Sequence, residues 1–246
     1  MKGYAGKILY LDLSEKTSKQ KKLKKKFARN YLGGVGFGAK ILYEEVKPKT
    51  DPLSPDNVLI VTAGPISGVP FMGAGRTTFV SKSPLTDGWM HSNMGGSFAA
   101  HMKFAGYDQI IIEGKSPEPV YIFIKDQEVR LMDARHLVGK DVYETTELIK
   151  NDLGDRSVQI AAVGPAAENM VLYAGIFTNL ARPAARTGMG TVLASKNVKA
   201  IAIKGTGGVK IADSKKFWKI VEEIKEETYV HPQYWPRRVM GTTRIL

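Results

Sequence analysis

The stretch Thr62-Ala-Gly-Pro-Ile-Ser-Gly-Val-Pro-Phe-Met-Gly-Ala-Gly-Arg76-Thr-Thr78, continued by Ser92-Asn-Met-Gly-Gly-Ser-Phe98, decides how this chain is read. Apolar Val58 to Val61 lead into it as a strand. Gly64, Gly68, Gly73, Gly75, Gly88, Gly95 and Gly96 follow, interleaved with Arg76 and Lys82. Glycine loses more backbone freedom on folding than any other residue, so such a concentration belongs where the main chain turns left-handed or approaches a ligand closely. Backbone N–H groups and a few cations gathered in this way suit phosphates and other anions. A run of tight turns in an all-β sheet uses the same glycines, and the pattern alone leaves both readings open.

The 246 residues suffice for one large domain or two small ones, and 43% hydrophobic with 24% charged residues is an ordinary globular composition. No apolar run is long enough to span a membrane and the first twenty residues lack a signal peptide's apolar segment, so a cytoplasmic protein is expected. The absence of cysteine excludes disulfides, thiolate metal sites and cysteine-bound iron–sulfur clusters within the chain. The net charge of +12 is uneven: residues 1–30 carry ten Lys or Arg against Asp12 and Glu15, which places +8 there. Lysines in such a run keep a strand edge solvated and unpaired. The segment lacks the interleaved aromatics that stack nucleic-acid bases, so no nucleic-acid partner is expected.

Taken in order, Lys7 to Leu13 and Ser18 to Leu23 read as a β-hairpin. Phe27, Tyr31, Leu32, Val35, Ala39, Leu42 and Val46 recur at helical spacing, predicting one helix from Phe27 to Val46 that stops at Lys47-Pro48. Inside it, Gly33-Gly-Val-Gly-Phe-Gly38 is a poor dinucleotide fingerprint, because helix rather than strand leads into the glycines. Strands are predicted at Val58 to Ala63, Thr77 to Lys82, Gln109 to Gly114, Val158 to Val163, Val171 to Phe177 and Asn197 to Lys204. A hairpin turns at Asp126-Gln127, and helices are predicted at Ser97 to Ala105, Leu137 to Leu153 and Lys215 to Glu227, with an irregular tail after Tyr229.

A second loop, Asn179-Leu-Ala-Arg-Pro-Ala-Ala-Arg-Thr-Gly-Met-Gly190, again sets two arginines among small residues; the guanidinium fork binds phosphate or heteroaromatic edges through paired hydrogen bonds. An internal echo links the two loops. Gly64-Pro65, Arg76, Ser81-Lys82 and the strand to Gly114 are answered, at different spacings, by Gly164-Pro165, Arg186, Ser195-Lys196 and the strand to Gly205; a true repeat implies two similar sheet units that share one site, and chance similarity is the other reading. Catalytic candidates are sparse. His91, His101, His136 and His231 are scattered, Glu113 and Glu168 have no evident partner, and no Ser-His-Asp set or metal-ligand cluster is present. No catalytic residue is assigned, and the chain reads as a binding platform.

Gly6-Lys-Ile-Leu-Tyr-Leu-Asp-Leu13, Tyr31-Leu-Gly-Gly-Val-Gly36, Asp51-Pro-Leu-Ser-Pro55, Ala63-Gly-Pro65, Gly75-Arg76, Ser81-Lys-Ser-Pro-Leu-Thr86, Asn93-Met-Gly-Gly96, Phe104-Ala-Gly-Tyr-Asp108, Gly164-Pro165 and Arg182-Pro-Ala-Ala-Arg186 occur in one order. That order resembles the N-terminal domain of the tungsten-containing aldehyde:ferredoxin oxidoreductases over nearly the whole chain. The resemblance implies an α+β fold of two pseudo-symmetric β-sheets with flanking helices, forming the base for a tungsten (or molybdenum) bis-pterin cofactor. It implies pterin contacts at Arg76, Asn93, Gly95, Arg182, Pro183 and Ala185, with Arg76 between the cofactor and an iron–sulfur cluster. Magnesium would be held by the main-chain carbonyls of Asn93 and Pro183. Ala185 and Thr187 stand where the family often has glycine. The cluster's cysteines would come from a partner subunit or later domains, with ferredoxin the indirect partner and an aldehyde the substrate. Residues 1–210 are then the tungstopterin-binding domain and 211–246 the start of a helical domain, with Gly241-Thr242 reading as a helix start. This chain alone is expected not to turn over aldehydes. The same fold without its cofactor, serving as a binding or scaffold module, is the alternative.

Overall fold

The structure is a computed structural model that describes residues 1–241. The chain divides into two compact units, Gly3–Val209 and the residues from Lys210 on.

In the first unit, hairpin β1 (Lys7–Asp12) and β2 (Thr17–Lys22) precedes helices α1 (Lys25–Tyr31) and α2 (Val35–Glu45). Strands β3 (Leu59–Ala63), β4 (Thr77–Lys82) and β5 (Trp89–Met94), helix α3 (Phe98–Phe104) and strand β6 (Tyr107–Glu113) complete the first sheet, in the order β2-β1-β6-β3-β4-β5. A second round follows: hairpin β7 (Val120–Lys125) and β8 (Glu128–Asp133), helix α4 (Val142–Asp152), strand β9 (Gln159–Ala162), short helix α5 (Pro165–Glu168), strands β10 (Ile176–Thr178) and β11 (Arg182–Ala184), helix α6 (Met189–Ser195) and strand β12 (Val198–Lys204). Its sheet runs β8-β7-β12-β9-β10-β11, the same order as the first, with the hairpin strand parallel to the last strand and every other neighbour antiparallel in both sheets. The predicted two-sheet α+β architecture is therefore present as two copies of one topology.

Apolar spacing explains the layers. Leu9, Leu11, Val61, Phe79 and Ile110 of the first sheet meet Ile122, Ile124, Ile176 and Ile201 of the second, with Met102 of α3 and Val192 of α6 in the same central core. The outer face of the first sheet packs Ile8, Ile60, Val80 and Ile111 against Ala28, Phe37 and Ile41 of α1 and α2. The outer face of the second packs Tyr121, Phe123 and Ile160 against Ile149 of α4. Strands such as β3, buried along their whole length, are covered on both faces, which is why they read as continuous apolar runs rather than alternating ones.

Each sheet carries a bulge at its parallel pairing. Asp108 is the extra residue between Tyr107 and Gln109, and Lys199 the extra residue between Val198 and Ala200. Asp108 accepts from Ala5 N and Gly6 N and pairs with buried Lys103 at 3.4 Å, whose ammonium also bonds the carbonyls of Gly64 and Pro65. Lys199 pairs at 2.6 Å with Glu168, which follows Gly164-Pro165. Equivalent bulges thus tie equivalent Gly-Pro turns with charges of opposite sign.

Several expectations are corrected. The single helix from Phe27 to Val46 is two helices, because Leu32 (φ 60), Gly33 (φ 151) and Gly34 (φ 52) leave the helical region. The helix expected from Leu137 starts at Val142, where Asp141 and Glu144 form a reciprocal capping box. The strand expected over Val171 to Phe177 is confined to Ile176–Thr178; Gly175 before it packs so closely on Ala185 that a Cβ would lie 2.9 Å from the Ala185 Cα. Strands β5 and β11 and helix α6 lie in stretches read as loop. In the echo, Gly64-Pro65 and Gly164-Pro165 are equivalent, each following the matching strand. Arg76 and Arg186 are not: one precedes β4 and the other follows β11. Ser81-Lys82 ends a strand whereas Ser195-Lys196 ends a helix.

The second unit contains α7 (Ser214–Val230), capped by the Asp213 side chain, and α8 (Tyr234–Met240), where an irregular tail was expected. Of the helix start expected at Gly241-Thr242, Gly241 is the residue that caps the end of α8, at φ 60, and Thr242 lies outside the described residues. No helix of the described residues is long and apolar enough to cross a membrane.

Candidate functional site

Strands β5 and β11 are the outer strands of their sheets, each paired on one side only, and they approach one another where the two sheets meet. A cavity of about 830 Å³ opens beside them, lined among others by Arg76, His91, Asn93, Pro183, Ala185 and Arg186. Four of the six predicted contact residues therefore line one cavity. The other two adjoin it: Gly95 follows β5, and a Cβ there would lie 3.8 Å from Cδ of Arg182, the first residue of β11. Asn93 and Pro183 occupy equivalent positions, since Asn93 pairs with Thr78 and Thr78 with Thr62, while Pro183 pairs with Phe177 and Phe177 with Ala162.

The loops are held by close backbone approach and by hydrogen bonds between the halves. A Cβ on Gly75 would fall inside the Gly96 carbonyl, and one on Gly96 inside Asn179 Oδ1, so both positions require glycine's lack of a side chain. Asn179 Oδ1 accepts from Ser97 N at 3.3 Å and its Nδ2 donates to Gln159 at 3.2 Å. Arg186 N donates to Ser92 Oγ at 3.1 Å, and Ser83 Oγ donates to the Thr187 carbonyl at 2.7 Å. Backbone strain collects here: Asn179 (φ 48), Leu180 (φ 62) and Thr187 (φ 64) are all left-handed without being glycine. Thr187 therefore sits at a position held at positive φ, whereas Ala185 stays out of that region.

The electrostatics are one-sided. The cavity lining includes two arginines and a histidine but no carboxylate. The guanidinium groups of Arg76, Arg182 and Arg186 have no hydrogen-bond or ion-pair partner among the described residues, whereas Arg130, Arg135 and Arg156 are each paired with a carboxylate. Exposed guanidinium forks without a neutralising carboxylate, two of them lining the cavity, are the kind of group that binds anions. No group of three or more His, Asp or Glu side chains among the described residues could hold a metal ion.

Of the remaining candidates only His91 reaches the cavity. His91 lines the cavity, its ring 5.6 Å from that of Trp89. Glu113 lies in a separate hollow with Asp12, Glu45 and Asp56, and burial together with Asp12 and Glu45 pushes its carboxyl above the usual range. Glu168 pairs with Lys199 and accepts from Gly139 N. Sequence reading missed Ser92 and Asn179 as the residues that join the halves. For Asn179 a signal existed, since Asn tolerates the left-handed region, whereas nothing local marks Ser92.

The family profile described as aldehyde ferredoxin oxidoreductase, N-terminal domain, matches residues 8–205. The tungsten-containing aldehyde ferredoxin oxidoreductase of Pyrococcus horikoshii is 45% identical over 232 residues, covering 94% of this chain and 38% of that protein. Its namesake in Thermococcus kodakarensis is 44% identical, covering 91% of this chain and 37% of its own length. A solved structure, the active site complex BamBC of benzoyl coenzyme A reductase in complex with 1,5-dienoyl-CoA, aligns with a TM-score of 0.90 at 38% identity, over 93% of this chain and 35% of its own. The chain thus spans less than two-fifths of the length of these relatives. With the two-sheet architecture and the convergence of β5 and β11, these matches show that the chain belongs to the aldehyde ferredoxin oxidoreductase family, as its N-terminal domain.

Proposed function

We propose that this domain is the platform for a tungsten (or molybdenum) bis-pterin cofactor in a cytoplasmic aldehyde oxidoreductase. Membership of a family whose curated relatives are named tungsten-containing supports a tungsten–pterin group. One observation carries the reading: equivalent edge strands of two like-folded sheets meet at one cavity lined by Arg76 and Arg186, with Arg182 starting one of those strands and none of the three guanidinium groups partnered among the described residues. The residues present fit such a group. Its phosphates and ring edges are acceptors that match guanidinium forks.

When bound, the group supplies two-electron redox chemistry. The protein's residues hold and orient it. Arg76, Arg182 and Arg186 balance its charge. Gly95 allows close approach, Pro183 and Ala185 present backbone and small side chains, and the main-chain carbonyls of Asn93 and Pro183 take magnesium. With no cysteine in the chain, an iron–sulfur cluster and the route to ferredoxin belong to further domains or a partner subunit, and this chain alone does not turn over aldehydes.

The test is tungsten and pterin content after anaerobic purification from tungsten-replete cells. Arg76→Gln and Arg186→Gln should lose most of both, while Arg130→Gln, whose side chain pairs with Glu128 on the far hairpin, should retain them. Equal content in all three variants contradicts the platform. A folded wild type devoid of both points to the scaffold alternative.

A further inference from the structure

On the face of the first sheet covered by α1 and α2, one row of side chains is polar. The registers align Gln109 of β6 with Thr62 of β3, Thr62 with Thr78 of β4, and Thr78 with Asn93 of β5. The next row on the same face, Ile111, Ile60 and Val80, is apolar. Gln109 and Thr62 are fully buried and Thr78 is 4% exposed. Neither amide atom of Gln109 nor the Thr62 hydroxyl has a partner among the described residues. Thr78 Oγ1 donates to Asn93 Oδ1 at 2.8 Å, and the row so reaches the cavity.

The fold does not require this polarity. In the second sheet the equivalent row is Ala200, Ala162, Phe177 and Pro183, with no side-chain donor or acceptor. Over the polar row sits the glycine pair that interrupts the first helical segment. Gly34 starts α2 without a side-chain cap; a Cβ on it would lie 3.7 Å from Thr78 Oγ1, and its N–H donates to the Ala63 carbonyl at 3.1 Å. A Cβ on Gly33 would lie 3.0 Å from that carbonyl. The glycines first met as a doubtful nucleotide motif therefore let an uncapped helix start descend onto the row. Buried amides and hydroxyls left without partners are costly, and buried water making two to four hydrogen bonds is the usual partner of such groups.

We propose that ordered water completes the hydrogen bonds of Gln109 and Thr62, and that the hydrated row is a positioning device for Asn93. Water donating to Thr78 Oγ1 commits the threonine's own proton to Asn93 Oδ1. The Asn93 amide nitrogen, which has no partner among the described residues, then presents its two N–H groups to an acceptor oxygen of the ligand in the cavity. The identity of that ligand rests on the cofactor reading above. The water and the Thr78 contact do not.

Three measurements on the full chain test the proposal. A structure at a resolution that shows ordered water should place at least one water between Gln109 and Thr62. Thr62→Val should lower Tm by about 2–4 °C, because it takes a partner from that water; in a dry row the same change removes an unsatisfied hydroxyl and raises Tm. Thr78→Val should reduce retained pterin about tenfold, and Thr78→Ser should restore it. A dry row with a raised Tm overturns the proposal, and so does full pterin retention in Thr78→Val. A wild-type chain carrying no pterin contradicts the cofactor reading alone; the water density and the sign of the Thr62→Val shift still decide the row.

Discussion

The halves Lys7–Glu113 and Val120–Lys204 share one strand order and one set of strand directions, yet differ at three equivalent places. The bulge residue is Asp108 in one and Lys199 in the other. The row leading to the site is polar in one and apolar in the other. The left-handed residue two positions before the inner helix is Gly96 (φ 92) in one and Thr187 (φ 64) in the other. What the halves share sets where the edge strands end and so where a ligand can sit. What they do not share is free of the fold's demands.

The largest expected effect breaks the symmetry of the bulges. Asp108→Asn leaves Lys103 charged, with both side chains of the pair at most 1% exposed, and should cost about 3–5 kcal/mol in denaturant unfolding. Glu168→Gln, at a side chain 21% exposed, should cost clearly less, about 1–2 kcal/mol. Equal losses would mean that the two ties are energetically alike despite their different burial.

Next comes Lys196, the residue after α6, whose counterpart after α3 is Ala105. Lys196 bonds the carbonyls of Pro55, Asn57 and Gly114 across the halves, and burial pushes its ammonium down to about 8 from 10.5. Between those values the unfolded chain keeps a proton that the folded chain has released. Wild type should therefore gain stability relative to Lys196→Met as pH rises from about 8 to 10.5, by about 3 kcal/mol in all. A flat difference across that window contradicts the burial argument.

Gly96→Ala, which drives a Cβ into Asn179 Oδ1 at positive φ, should lower stability by roughly 2–3 kcal/mol. Thr187→Gly should do the reverse by relieving left-handed strain, raising stability by under about 1 kcal/mol after glycine's entropy cost. Loss of stability in Thr187→Gly would show that the Thr187 hydroxyl bond to the Arg186 carbonyl outweighs the strain.

Much of this was legible in the sequence, for identifiable reasons. The hairpin at Asp126-Gln127 and strands β3, β4 and β12 announce themselves by apolar runs between turn residues. The Gly-Pro turns revealed the repeat because they recur after equivalent strands. The edge strands did not show: Trp89–Met94 and Arg182–Ala184 are half-exposed and carry polar or proline residues, so they lack the apolar signature while forming the site itself. Arg76 and Arg186 line one cavity but are not the equivalents the echo made them, since one precedes β4 and the other follows β11. The polar row was invisible because Gln109, Thr62, Thr78 and Asn93 become neighbours only through strand register.

The most direct test of the central claim is the ratio of pterin to tungsten in the protein purified anaerobically from tungsten-replete cells, by elemental analysis and pterin fluorescence together. Two like-folded halves, each ending in one edge strand at the shared cavity, predict two pterins per tungsten. A single pterin per tungsten, or a folded protein carrying neither, would contradict the account.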